Sequence, residues 1–138
     1  MNYLLDTNVI SELVSARPHP KVITWFEQVP LNAIFISVLT LGEIRKGVEK
    51  VSDNTRKNTL LLWLEQDLVK MFNTRILTIS VEVADRWGRL QCQVTRTLPA
   101  IDSLIAATAL HHDMTLITRN TDDFSGCPGL ELVNPWGG

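Results

Sequence analysis

Short apolar runs alternate with longer stretches whose apolar residues recur three and four positions apart, along the whole chain. Tyr3-Leu4-Leu5 is the first such run and reads as a strand that stops abruptly at Asp6-Thr7-Asn8. Val9, Ile10, Leu13 and Val14 follow at helical spacing, so the polar triplet sits at a strand-to-helix turn. Arg17-Pro18-His19-Pro20 breaks the chain. Val22, Trp25, Phe26 and Val29 then form the stripe of a second helix, begun near Pro20 and closed by Pro30. Ala33-Ile34-Phe35-Ile36-Ser37 reads as a strand apolar on both faces, as a parallel sheet requires.

The alternation continues. Leu41, Ile44, Val48 and Val51 are the stripe of a third helix, and Thr40-Leu41-Gly42-Glu43 at its start matches a capping box. Ser52-Asp53-Asn54-Thr55 opens a fourth helix with Leu60, Trp63, Leu64, Leu68, Met71 and Phe72 on its core face. Leu61 and Leu62 fall off that face. Arg75-Ile76-Leu77-Thr78-Ile79 is the third strand, and Val83, Trp87, Leu90 and Val94 carry a fifth helix that runs out at Thr97-Leu98-Pro99. A sixth helix begins at Pro99 with Ile101-Asp102-Ser103-Leu104-Ile105-Ala106-Ala107-Thr108-Ala109, whose alanines let it lie close to a sheet. Met114-Thr115-Leu116-Ile117-Thr118 is the fourth strand, Arg119 to Phe124 a turn or short helix, and Leu130-Glu131-Leu132-Val133 the fifth strand. Strands alternating with helices predict an α/β fold. The expected architecture is a single domain over 1–138, with a central, mainly parallel sheet of about five strands flanked by helices.

Composition narrows the class. Of 138 residues 45% are hydrophobic and 20% charged, the balance of an ordinary globular domain. No apolar run approaches the roughly 18 residues of a membrane helix, and no basic stretch precedes an apolar one at the N-terminus. A cytoplasmic, membrane-free protein is the expectation. Cys92 and Cys127 lie far apart and outside any Cys-x-x-Cys pattern, which suggests two free thiols. The formal charge of −2 argues against a passive phosphate-backbone binder but not against an enzyme that holds a phosphodiester through a metal.

Each acid has a structural excuse. Asp6-Thr7-Asn8 makes a good N-cap cluster, Glu43 completes the capping box, and Asp102 suits the positive end of the sixth helix. The set is harder to excuse. Asp6, Asn120, Asp122 and Asp123 follow strand ends, while Glu43 and Asp102 lie at helix starts, and in a parallel α/β sheet these positions share one edge. Carboxylates gathered there repel one another unless a cation holds them. Oxygen ligands without His or Cys suit Mg²⁺, with Mn²⁺ as the substitute. Such an ion activates water and orients a phosphodiester, so the residues point to metal-dependent phosphoester hydrolysis.

At these positions the chain resembles the PIN-domain ribonucleases, particularly the VapC and FitB-like toxins of type II toxin–antitoxin pairs. The resemblance is carried by Leu4-Leu5-Asp6-Thr7-Asn8-Val9-Ile10-Ser11-Glu12, Ser37 to Glu43, Ala100 to Ala109, and Leu116 to Asn120 with Asp123-Phe124 and Asn134-Pro135-Trp136. It spans the whole chain in the right order. The resemblance implies a PIN-like fold and a Mg²⁺-dependent endoribonuclease cutting structured RNA, either tRNA or ribosomal RNA. It implies Asp6, Glu43 and Asp102 as catalytic, metal-coordinating acids, with Thr118 ordering the site and Thr7 and Asn8 beside it. Where the family often has a further acid this chain has Asn120, so either Asp122 or Asp123 compensates through a water or a second metal site is weak, with capping of a turn ahead of Phe124 as the alternative role of Asp123. It also implies a homodimer and a cognate antitoxin (VapB- or FitA-like) that blocks the acidic site, typically with a basic side chain, and binds operator DNA for the complex.

Two rivals are weighed. A haloacid dehalogenase-type phosphatase shares Leu4 to Val9, but its second Asp is Asn8 here and no lysine follows Lys70; a phosphorylatable receiver domain fails for the same missing lysine. A binding module acting through RNA or protein contact alone would have lost a core acid, and none is missing. His111 and His112 end the sixth helix, where a partly cationic side chain suits the dipole, and His19 lies between prolines in an exposed loop. Trp25, Trp63 and Trp87 sit on core stripes, and Trp136 remains open between packing and base stacking.

Overall fold

The computed structural model describes residues 1–137. Five strands, β1 (Tyr3–Leu5), β2 (Ile34–Ser37), β3 (Ile76–Leu77), β4 (Thr115–Ile117) and β5 (Leu132–Val133), form one sheet in the order β3-β2-β1-β4-β5. Every pairing is parallel. The connections are helical: α1 (Thr7–Leu13), α2 (Pro20–Gln28), α3 (Val38–Glu49), α4 (Asn54–Leu62), α5 (Val69–Phe72), α6 (Val81–Gln93), α7 (Ala100–His111) and α8 (Thr121–Phe124). The expected α/β architecture is the one observed.

Strand order reverses between β1 and β4. The chain leaves β1 for β2 on one side and later returns through β4 on the other, so the carboxyl ends of β1 and β4 flank a crevice of the kind that binds ligands in such sheets. Alternate residues of each strand face opposite layers. Leu4 and Leu116 face a core completed by Val83 and Leu90 of α6 and Ile105, Ala106 and Ala109 of α7. Leu5 and Ile117 face the other layer, with Val9, Ile34, Ile36, Leu64, Leu68 and Phe72. Ala106, Ala107 and Ala109 of α7 are fully buried, as a helix lying close to its neighbours requires. Trp87 of α6 donates its indole N–H to the Ser103 hydroxyl of α7 at 2.8 Å.

Several local expectations are corrected. The strands are shorter: Ala33 belongs to a 3₁₀ turn, Thr78 and Ile79 lie beyond β3, and β5 begins only at Leu132. The capping box at Thr40 does not form. Ser37 caps α3 instead, its hydroxyl accepting the Leu39 N–H, and this leaves Thr40 buried and Glu43 free for another partner. The fourth helix is continuous from Asn54 to Phe72, but Trp63–Leu68 is π-helical. Leu61, three residues before Leu64, packs against the core, while Met71 is 40% exposed. Leu62 is 64% exposed. His19, although exposed, caps α2 by accepting the Lys21 N–H on Nδ1. Cys92 and Cys127 are free, as expected.

Arg75 closes the layer under β2 and β3. Its guanidinium donates to the carbonyls of Leu31, Ile34 and Met71 and lies 5.3 Å over the Phe72 ring. Arg75→Ala is expected to cost about 1.5–3 kcal/mol, the range for hydrogen bonds to a charged group. A urea titration would show this as a lower midpoint with an unchanged slope. Lysine recovers only part, because one ammonium cannot reproduce the planar fork.

Candidate active site

The register places Leu5 opposite Ile117, so the next pair, Asp6 and Thr118, leaves the sheet side by side at the crevice. The Asp6 N–H continues the ladder to the Ile117 carbonyl at 2.9 Å, and the Thr118 N–H does so to Val133 at 3.0 Å. Asp6 is also the N-cap of α1, so the capping explanation and the site explanation both hold. One carboxylate oxygen accepts the Thr7 N–H and the other the Thr118 hydroxyl, each at 2.8 Å. The side chain is thereby fixed at both oxygens although it is only 5% exposed. Burial pushes its pKa up, the two hydrogen bonds act against that, and the Glu43 charge adds to it.

Glu43 comes from α3 and meets Asp6 through Thr7. The Thr7 hydroxyl donates to Glu43 Oε1 and lies 3.5 Å from the Thr40 hydroxyl. Asp102 sits in the first turn of α7, which runs past the same opening. Its carboxyl is pushed up to about 6, first by burial and then by the charges of Asp6, Glu43 and Asp123. The helix dipole favours its anion, and burial together with the neighbouring carboxylates outweighs that help.

These side chains line one open cleft of about 470 Å³, together with Thr7, Asn8 and Asn120. Thr118 lies buried beneath it, accepting hydrogen bonds from Asn8 Nδ2 at 3.4 Å and the Asn120 N–H at 3.1 Å. Asp122 and Asp123 do not line it. Both are exposed on α8; Arg96 donates to the Asp122 carbonyl and lies 3.6 Å from the Asp123 carboxylate. The charge of Asp123 is nevertheless felt at Asp102. His111 and His112 lie at the far end of α7, outside the cleft.

Ser11, Glu12, Ser15, Arg119 and Trp136 also line the cleft. Asn8, Ser11 and Glu12 form a polar stripe on α1 at helical spacing, opposite Val9, Ile10 and Leu13, and Ser15 lies just beyond the helix end. Asn8, Ser11 and Glu12 belong to the first stretch that carries the resemblance, and Arg119 and Trp136 to its last, but among these the sequence points only Asn8 to the site and leaves Trp136 open between packing and stacking.

The lining includes no His or Cys, only hard oxygen donors, several of them anionic. That donor set fits Mg²⁺ or Mn²⁺, whose charge would offset the repulsion felt at Asp102. Among the described residues no three His, Cys, Asp or Glu side chains are drawn together into a ready cation cage, and Glu43 is turned toward Thr7.

Thr118→Val keeps the shape and removes the hydroxyl. It leaves Asp6 short of a donor and the Asn120 N–H without its acceptor, at an expected cost of about 1–3 kcal/mol. Thr118→Ser should retain most of the stability in the same urea titration.

The model of the PIN domain family matches residues 3–128. Toxin FitB of Neisseria gonorrhoeae is 35% identical over 136 residues, covering 96% of this chain and 97% of that protein. VapC ribonuclease Y4jK of Sinorhizobium fredii is 30% identical over 136 residues, covering 96% of each. The crystal structure of FitAcB from N. gonorrhoeae superposes with a TM-score of 0.91 at 34% identity, covering 97% of this chain and 98% of that one. The structure of FitAB bound to an IR36 DNA fragment gives the same TM-score and identity, covering 97% and 95%.

Proposed function

The chain belongs to the PIN-domain family, and from that premise we propose that it is a metal-dependent endoribonuclease, the toxin of a type II toxin–antitoxin pair. The observation that carries the proposal is that Asp6, Glu43 and Asp102, far apart in sequence, line one cleft at the switch point of the sheet. Relatives named as toxin and ribonuclease support it.

In this reading Asp6 and Asp102 would hold the ion, with Glu43 beside Asp6 through Thr7. Bound Mg²⁺ or Mn²⁺ supplies an acidified water near neutral pH and offsets charge developing on the phosphodiester. Asp6 needs little rearrangement to act, because Thr118 and the Thr7 N–H already orient both of its oxygens. The Thr7 hydroxyl occupies one oxygen of Glu43, which leaves the other to accept a proton from attacking water. Asn120, a neutral side chain, completes the cleft wall.

The substrate class proposed is structured RNA, tRNA or ribosomal RNA. The partners proposed are a second copy of the chain and a cognate antitoxin that sets a basic side chain against the carboxylates and carries the contacts to operator DNA. The solved FitAB complex with DNA supports that assignment. No helix among the described residues is long and apolar enough to cross a membrane, and the proposed site of action is the cytoplasm.

Induced expression in a bacterial host tests the proposal. Growth should arrest, with new RNA 5′ ends at a few discrete positions, and Glu43→Gln should abolish both. Arrest without new ends would favour a binding module.

A further inference from the structure

The acidic cleft poses a physical problem for any polyanionic strand, because several carboxylates face it. The cleft lining includes a single Lys or Arg, Arg119. Among the described residues Arg119 has no carboxylate within ion-pair distance. Its guanidinium lies 5.1 Å over the Trp136 ring, and Trp136 lines the same cleft.

The pair is built into the fold. The Arg119 N–H donates to Asn8 Oδ1 at 3.3 Å, its carbonyl lies 3.5 Å from Asn134 Nδ2, and Asn134 Oδ1 accepts the Trp136 N–H at 2.8 Å. Asn8 and Asn134 thus tie the exit of β4 to the segment after β5, next to Asp6 and Thr118. Trp136 is half-buried and packs partly on the core, which holds its ring in place.

An unpaired guanidinium stacked on an indole, at the edge of a carboxylate cleft, is suited to single-stranded RNA. Arg119 offers planar donors to a phosphate, and the stack accepts a neighbouring base. We propose that Arg119 and Trp136 form a substrate-positioning platform that holds an RNA phosphate and the adjacent base at the entrance to the acidic cleft. This deepens the ribonuclease reading and rests on it. Arg119 is a positioning residue: it offsets the repulsion of the carboxylates and fixes the strand, while Asp6, Glu43 and Asp102 do the chemistry.

The test compares the parent with Arg119→Ala, Arg119→Lys, Trp136→Phe and Lys70→Ala, the last removing an exposed charge outside the cleft. The probes are total tRNA for cleavage and a mixed-sequence RNA of about 12 nucleotides for binding. Arg119→Ala should raise KM about tenfold, with kcat within about threefold of the parent. It should also reduce the slope of log affinity against log salt by about 0.7, the value for one phosphate contact to a single strand. Arg119→Lys should keep the slope and lose part of the affinity, Trp136→Phe should keep the slope and lose affinity a few-fold through the smaller stacking ring, and Lys70→Ala should match the parent. An unchanged KM and salt slope in Arg119→Ala, in a parent that cleaves RNA, overturns the platform alone. A parent that binds the strand without cleaving it, and loses affinity and slope with Arg119, keeps the platform and overturns the nuclease reading. A parent that does neither overturns both.

Discussion

Asp102→Asn is expected to reduce RNA cleavage about a thousandfold while making the metal-free protein more stable. The activity loss corresponds to about 4 kcal/mol of transition-state stabilisation, in the range of a lost metal contact. The stability gain follows from the raised pKa of this carboxyl, which stands at about 6 against 3.8 for the free group. A carboxyl whose folded pKa is raised favours the fold while protonated. Its contribution is therefore complete below about pH 4, falls as the pH rises toward about 6, and leaves a penalty above that. Each pKa unit is worth about 1.4 kcal/mol, and partial exposure discounts the total to about 1–2 kcal/mol. Asparagine carries no such penalty. At pH 7.5 without divalent ions the variant should melt a few degrees above wild type, and near pH 4 the two should coincide. Added Mg²⁺ should raise the wild-type melting temperature and leave the variant almost unmoved. A variant that melts lower at pH 7.5 would mean that Asp102 is structural.

Phe124→Ala carries the largest expected loss of stability, about 3–5 kcal/mol. Phe124 is 1% exposed and inserts into the core shared by α6 and α7. It belongs to α8, a helix of four residues that has no stability of its own. Without the ring, the segment from Arg119 to Cys127 loses its anchor, and this segment includes Asn120 and Arg119 of the cleft. Thermal unfolding should drop by roughly 10 °C or more, and activity below that temperature should fall further than stability alone explains. Phe124→Leu should recover most of the stability, since it keeps much of the volume.

How legible this was depends on which interactions fix each feature. The alternation of apolar runs and amphipathic stripes was enough for the sheet and its helices, because burial against a two-faced parallel sheet leaves that pattern directly in the chain. Asp6 was legible for the same reason, as a polar residue ending a buried strand. Boundaries were less so. The π-helical turn at Trp63–Leu68 leaves no compositional mark. Glu43 was misplaced in a capping box because Ser37, three residues before Thr40, competes successfully for the helix start. Its partner Thr7 is 36 positions away, a pairing that local spacing cannot reveal. The stacking of Arg119 on Trp136 was hidden likewise, since it depends on how Asn8 and Asn134 hold the exit of β4 to α1 and to the segment after β5.

The most direct measurement is cleavage of total cellular RNA by purified, antitoxin-free protein, wild type and Asp6→Asn, in Mg²⁺ and in EDTA. Asn preserves the shape of the buried side chain that Thr118 and Thr7 hold, so the variant should remain folded. A few discrete cuts by wild type in Mg²⁺, absent in EDTA and in Asp6→Asn, are the predicted result. Equal cutting by both proteins, or cutting that survives EDTA, would contradict a metal-dependent chemistry centred on the acidic cleft.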